Sequence, residues 1–193
     1  MGFLDALRAK DSGSRIDGDG IFLREPVFDD FPRWRMLRSA SAAFLKPWEP
    51  EWQPDELTTI AFRQRIRHYR DIRANDMGYP LFIFATKDQS LLGAATLHHV
   101  RRGVAQSATL GYWVGEPYAR RTVMTRALAA LVPYAHSEMR LHRIEAACLP
   151  RNEGSIRLLE KSGFEREGYA KSYLKIAGHW EDHILWSHRK ATP

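Results

Sequence analysis

A single cysteine, Cys148, stands in the chain, so no intramolecular disulfide can staple the fold. It sits in the apolar run Ile144-Glu-Ala-Ala-Cys-Leu149, the setting of a buried structural thiol, and one free thiol is compatible with a reducing cytoplasm. No apolar run approaches the roughly 20 residues of a membrane-spanning helix, so no membrane partner is expected. The opening residues carry Asp5 inside their short apolar part and are followed by no small-residue cleavage site, which argues against a secretory signal. Ala6 occupies the position where myristoylation of Gly2 requires Ser or Thr. His98 and His99 are adjacent but have no acidic or cysteine neighbours, so no metal site is expected. Internal repeats and low-complexity segments are absent as well.

What remains is an ordinary globular composition. The 193 residues suffice for one domain with a sizeable core, and 44% apolar with 27% charged residues fits that class. The net charge of +6, with a pI near 9.6, favours an acidic partner: a phosphate-bearing cofactor, an acidic protein surface or RNA.

Residues 11–20 are almost all turn formers, so residues 1–20 are expected to be a flexible head, 21–188 the domain and 189–193 a tail. Ile21–Glu25 reads as a strand. Asp29 or Asp30 then caps a helix bearing Phe31, Trp34, Leu37 and Phe44 at helical spacing. A second helix is expected over 55–75, with Leu57, Ile60, Ala61, Tyr69 and Ile72 inward and Arg63, Arg65, Arg67, Arg70 and Arg73 forming a basic remainder. Such a run is either a solvated face or a contact for RNA or an acidic protein. Tyr79–Thr86, Leu91–Val100 and Ala108–Gly115 read as an antiparallel meander. A helix over 121–138, kinked or shortened by Pro133, precedes a strand at His142–Cys148. A helix from Asn152 to Ser162 ends at Gly163, and two strands, Phe164–Ile176 and Trp180–Trp186, follow. The expectation is an α+β fold: a mixed, mostly antiparallel sheet with helices on both faces. A ligand belongs where the strand before Glu116 and the strand ending at Leu149 splay apart.

Two stretches carry the chemistry. Leu110–Leu128 reads as strand, tight turn and helix start, and the free N–H groups of a helix N-terminus form an anion site. Arg120, Arg121 and Arg126 add charge there, which suits a polyphosphate. Phe44-Leu-Lys-Pro-Trp-Glu-Pro-Glu-Trp-Gln-Pro54 holds three prolines and two tryptophans, and is therefore a rigid loop. Its tryptophans either plug the core or wall an acceptor site in which Glu49 or Glu51 faces an amine.

The element order, with these motifs, resembles the GNAT N-acetyltransferase superfamily from about Ile21 to Ser187. Within it, the Lys-Pro-Trp-Glu-Pro loop, His142-Arg-Ile144 with Asn152 and Ser155, and the run from Gly163 through Glu-Gly-Tyr-Ala-Lys to His183 resemble the ribosomal-protein-alanine N-acetyltransferases of the RimJ type. The resemblance implies acetyl-CoA as cosubstrate, direct attack by an amine, and the N-terminus of a ribosomal protein as acceptor, with ribosome or RNA contact. A small-amine acetyltransferase, or a non-catalytic RNA- or ribosome-binding module, are the alternatives. It places the pyrophosphate loop on Ala119, Arg120, Arg121, Thr122, Val123, Met124 and Thr125, with Thr122 in place of the central glycine and Arg120 where a second is common. A positive φ at either position costs about 1–2 kcal/mol, whereas helical φ values free the Thr122 hydroxyl for a phosphate. Backbone N–H groups of Tyr112, Trp113 and Val114 are implied for the cofactor and the oxyanion. Leu159 occupies the position of the family's tyrosine proton donor. Ser155 is implied as its substitute, with Asn152 on the cofactor, unless both only cap their helix. The base is assigned to Glu49, with Tyr173 as a second candidate.

Overall fold

The structure is a computed structural model that describes residues 15–191. Its centre is an eight-stranded sheet. In chain order the elements are β1 (Ile16–Gly18), β2 (Ile21–Arg24), α1 (Phe31–Ala40), α2 (Ala42–Leu45), α3 (Thr59–Ala74), β3 (Tyr79–Ala85), β4 (Leu91–Arg101) and β5 (Ser107–Val114). They continue with α4 (Val123–Ser137), β6 (Arg143–Cys148), α5 (Glu153–Lys161), β7 (Glu165–Ile176) and β8 (His179–Arg189). The sheet order is β1-β2-β3-β4-β5-β6-β8-β7, and β5 with β6 is its parallel pair. Parallel neighbours need a crossover, and α4 supplies it.

Helices cover both faces, which is why β3 is apolar at nearly every position. Leu81 and Ile83 join the core under α4, together with Ala127, Leu128 and Leu131. Phe82 and Phe84 point the other way, into an aromatic layer with Trp34 of α1 and Phe62 of α3, whose rings lie 4.8 Å apart. The α+β expectation holds in class, in strand content and in the antiparallel bias.

Several local expectations are corrected. Residues 16–18 of the expected head form β1, because Ile16 is buried in the core opposite Leu23; the rest of that head, residues 1–14, lies outside the described residues. β8 likewise runs through Arg189, into the expected tail. Asp30 stands at the N-cap of α1 but does not cap it. Its buried carboxylate accepts from Arg24 at 2.8 and 2.6 Å and from the Val27 N–H at 2.8 Å. The helix expected to reach Phe44 breaks at Ser41, whose buried hydroxyl accepts from the distant Glu116 N–H at 2.9 Å. α3 starts later than expected because the Thr58 hydroxyl accepts from the Ala61 N–H, and that start turns Phe62 and Ile66 inward and leaves Ile60 68% exposed. Pro133 does not shorten α4, which continues to Ser137.

At the far end of α4, the buried His136 and the half-buried His188 form a relay. The Leu141 carbonyl only accepts, so His136 Nδ1 carries the proton and donates to it at 2.7 Å. His136 Nε2 then accepts from His188 Nδ1 at 2.9 Å. This arrangement fixes the His136 tautomer and needs a proton on His188 Nδ1. Burial, and then the neighbouring His136, hold the His188 imidazole below its ordinary value, against an opposing pull from Glu165. A group depressed in the folded state is protonated first in the unfolded chain, so this stability is full above about pH 6.5 and is lost as pH falls below it. The melting temperature is therefore expected to drop between about pH 7 and 5, and His188→Asn, which keeps a donor but cannot titrate, to flatten that drop. A wild-type melting temperature that is constant or rises over this range contradicts the assignment.

Candidate active site

Parallel pairing of β5 with β6 runs from Ser107↔Arg143 to Leu110↔Ala146 and stops there. Beyond it β6 stays with β8 through Cys148↔Ile184, while β5 stays with β4 through Gly93↔Val114. The two strands therefore part, and a cavity of about 620 Å³ opens between them. Gly115 donates to Leu92 on the β4 side, so strand alternation turns the N–H groups of Tyr112 and Val114 toward the parted side, where no strand accepts them. Tyr112, Trp113 and Val114 all line the cavity.

The N-terminus of α4 forms one wall. The first intrahelical bond runs from the Arg126 N–H to the Thr122 carbonyl at 3.0 Å, which leaves the preceding N–H groups of Val123, Met124 and Thr125 without helical partners. These three residues, with Ala119, Arg120 and Thr122, line the cavity. The two residues standing in glycine positions both adopt left-handed backbone: Arg120 at φ 60° and Thr122 at φ 57°, ψ 8°. A β-branched residue there is an outlier, with a cost of about 1–2 kcal/mol. The Thr122 hydroxyl donates to the Arg121 carbonyl at 2.7 Å, so it braces its own loop. The arginines divide. Arg120 faces the cavity, Arg121 is exposed outside the wall, and Arg126 turns away to donate to the Asp19 carbonyl at 2.8 Å.

α5 forms the other wall. Asn152 Oδ1 accepts from the Ser155 N–H at 3.0 Å, so Asn152 does cap its helix, yet both residues also line the cavity. Burial holds the Tyr112 phenol far above the usual phenol value, although the nearby Ser155 hydroxyl pulls the other way. Leu159 is fully buried and offers no proton donor, as expected. Arg151, Arg157 and Lys161 complete this wall. Sequence reading missed them, although 154, 157, 158 and 161 share one helical face and could have been grouped by spacing alone.

The proline-tryptophan loop closes the opposite end with Phe44, Leu45, Trp48 and Glu49. It is tied to the β7–β8 tip, where the Ala177 N–H donates to the Glu49 carbonyl at 2.9 Å. Arg151 lies 5.9 Å from the Trp48 ring and pairs with Glu181 of β8 at 3.0 Å. The two tryptophans divide: Trp48 lines the cavity, and Trp52 stacks on Arg38 behind it. Glu49 is not a free base, however: its carboxylate accepts from both terminal nitrogens of Arg38 at 2.7 Å and from the Trp52 indole at 2.7 Å. Tyr173 does not reach the cavity either. It is 47% exposed on β7, against the edge of His183 at 5.8 Å.

Unpartnered strand amides, unpartnered helix amides and four cations around one cavity suit a ligand with an extended amide arm and a polyphosphate. Residues 21–165 match the acetyltransferase (GNAT) domain. The chain belongs to the GNAT acetyltransferase family. It is 36% identical over 168 residues to the probable N-acetyltransferase YjcK of Bacillus subtilis, covering 87% of this chain and 93% of that protein. It is 31% identical over 173 residues to the ribosomal protein uS5-alanine N-acetyltransferase of Escherichia coli, covering 89% and 88%. Among solved structures, Mycobacterium smegmatis RimJ in complex with CoA-disulfide superposes with a TM-score of 0.84 at 29% identity, covering 93% of this chain and 87% of that one. With the GNAT family come N-acetyl transfer as the activity and acetyl-CoA as the cosubstrate, and the amide-lined cavity has the parts that cosubstrate requires.

Because the GNAT loop here is left-handed without glycine, Thr122→Gly is expected to raise unfolding free energy by about 1 kcal/mol, the relieved strain exceeding glycine's entropic cost. Acetyl-CoA affinity is expected to stay within about threefold, since the α4 amides are untouched. A destabilised variant in urea titration contradicts this account of the loop.

Proposed function

We propose that the protein acetylates the N-terminal amine of a ribosomal protein, alanine foremost, by direct attack on acetyl-CoA in the cytoplasm. One observation carries this reading: a single cavity joins the α4 phosphate end to a loop-walled mouth that offers no unpaired strong base. That mouth suits an amine that needs little help. An α-amino group, with an ordinary value near 8, is neutral often enough at pH 7 without one. The uS5-alanine acetyltransferase relative supports the choice of acceptor.

Acetyl-CoA supplies the activated acetyl thioester. The amides of Tyr112 and Val114 face the side on which carbonyl charge develops. As the new N–C bond forms and the C–S bond breaks, the departing thiolate takes a proton from the Ser155 hydroxyl. The neutral Tyr112 phenol beside it can restore that proton. Glu49 and Tyr173, the candidate bases, are given no proton-abstracting role, and the amine loses its proton to water.

A ribosomal contact has its own support on α3. Arg63, Arg67 and Arg70 are exposed at i, i+4 and i+7 and pair with no carboxylate among the described residues, whereas Arg65 and Arg73 pair with Glu56 and Glu25. Such a stripe fits a phosphate backbone.

Mass spectrometry of peptide and polyamine acceptors incubated with acetyl-CoA tests the proposal. An alanine-first peptide is expected to gain one acetyl group, and Ser155→Ala to lower kcat about a hundredfold. Transfer to spermidine with none to the peptide would replace the acceptor by a small amine. Unchanged kcat in Ser155→Ala would remove the proton donor.

A further inference from the structure

Arg38 of α1 is 5% exposed and lies behind the cavity wall, not on it. Its guanidinium carbon sits 4.1 Å from the Trp52 ring centroid and 4.9 Å from that of Trp113. Both terminal nitrogens hold Glu49, the carboxylate that the proline-tryptophan loop contributes to the cavity lining. Glu49 Oε2 accepts twice, from Arg38 and Trp52, but Oε1 accepts only from Arg38. Oε1 thus keeps acceptor capacity on a residue that lines the cavity. Behind the pair, Glu56 lies 3.7 Å from Arg38 and 2.6 Å from Arg65, so the four charges alternate and cancel. Within the loop, Lys46 lies 5.4 Å from the Trp52 ring and Glu51 is exposed, and Arg151 stands beside Trp48.

A buried ion pair adds little net stability over an apolar pair of the same volume, so its consequence lies in what it does to the cavity. A bare carboxylate beside the incoming amine would favour the ammonium, the form that cannot attack. A carboxylate neutralised from behind still accepts a hydrogen bond from an amine N–H and orients its lone pair, without holding the extra proton.

We infer that Arg38 is a positioning residue: it fixes Glu49 and cancels its charge, so that Glu49 orients the acceptor amine in its neutral form. This deepens the reading of an amine acceptor and rests on it.

The test is the pH dependence of acetyl transfer to the alanine-first peptide by wild type, Arg38→Met, Arg38→Lys and Glu49→Gln, with acetyl-CoA affinity measured by calorimetry on each. In Arg38→Met the acid limb of kcat is expected to move up by about one unit. Activity would then fall about tenfold at pH 7 and recover by pH 9, with acetyl-CoA affinity within about twofold of wild type. Arg38→Lys keeps the charge and is expected to restore most of the wild-type limb. Glu49→Gln, which leaves Arg38 unopposed, does not move the limb up, and raises the peptide KM about tenfold. A pH-independent loss in Arg38→Met, or a loss that tracks acetyl-CoA affinity, would reduce Arg38 to a packing residue and overturn the inference. If Arg38→Met does not fold, the Lys and Gln variants decide: a limb shifted upward in Glu49→Gln, or an unchanged peptide KM, is fatal to it. Where another primary amine is the true acceptor, the same profiles are read on that amine, so only the acceptor reading falls. Where wild type acetylates no amine, both fall.

Discussion

Strands β5 and β6 share a ladder as far as Leu110 and Ala146, and each is then claimed by its outer neighbour, β4 on one side and β8 on the other. Separating two strands inside a sheet leaves backbone donors without partners, which is costly unless something else accepts from them. That constraint organises the molecule. The parted edge supplies unpartnered amides from Tyr112 and Val114. The crossover helix α4 brings its own unpartnered N-terminal amides to the same opening, and α5 brings Ser155 and its cations. The site therefore follows from backbone that the fold leaves unsatisfied, and an extended thioester with a polyphosphate tail satisfies it.

The same logic explains how a loop without glycine can serve. Where the unpartnered amides of Val123, Met124 and Thr125 point is set by the left-handed turns at Arg120 and Thr122. Side-chain identity at those turns alters the strain and leaves the direction alone. Strain of this kind persists where surrounding structure over-determines it. Here Gly115 is pressed against Leu37, Glu116 is held by Ser41, and α4 is buried along Val123, Met124, Ala127 and Leu128.

Much of this was legible in the residues. Apolar runs such as Tyr79–Ala85 located the strands because helices cover both sheet faces, and the cap at Asn152 with Gly163 beyond bounded α5. The parting of the strands was legible too, from the turn at Glu116 and the proline at 150. What escaped was set by partners distant in the chain. Ser41 has no local reason to break a helix; its reason is Glu116. Glu49 reads as a free loop carboxylate until α1 presents Arg38 to it, and Arg126 reads as a phosphate ligand until the β1–β2 turn captures it. Positive φ at Arg120 and Thr122 could be framed only as a condition, since residue type disfavours it and tertiary packing imposes it.

Calorimetric titration with acetyl-CoA, alongside acetyl-pantetheine, which lacks the pyrophosphate, tests the central claim most directly. Unpartnered amides at α4 predict micromolar binding of acetyl-CoA, about −8 kcal/mol, and binding of the truncated thioester weaker by at least about a hundredfold. Equal affinity for the two, or no heat from acetyl-CoA up to millimolar concentration, would show that the start of α4 does not hold the phosphates.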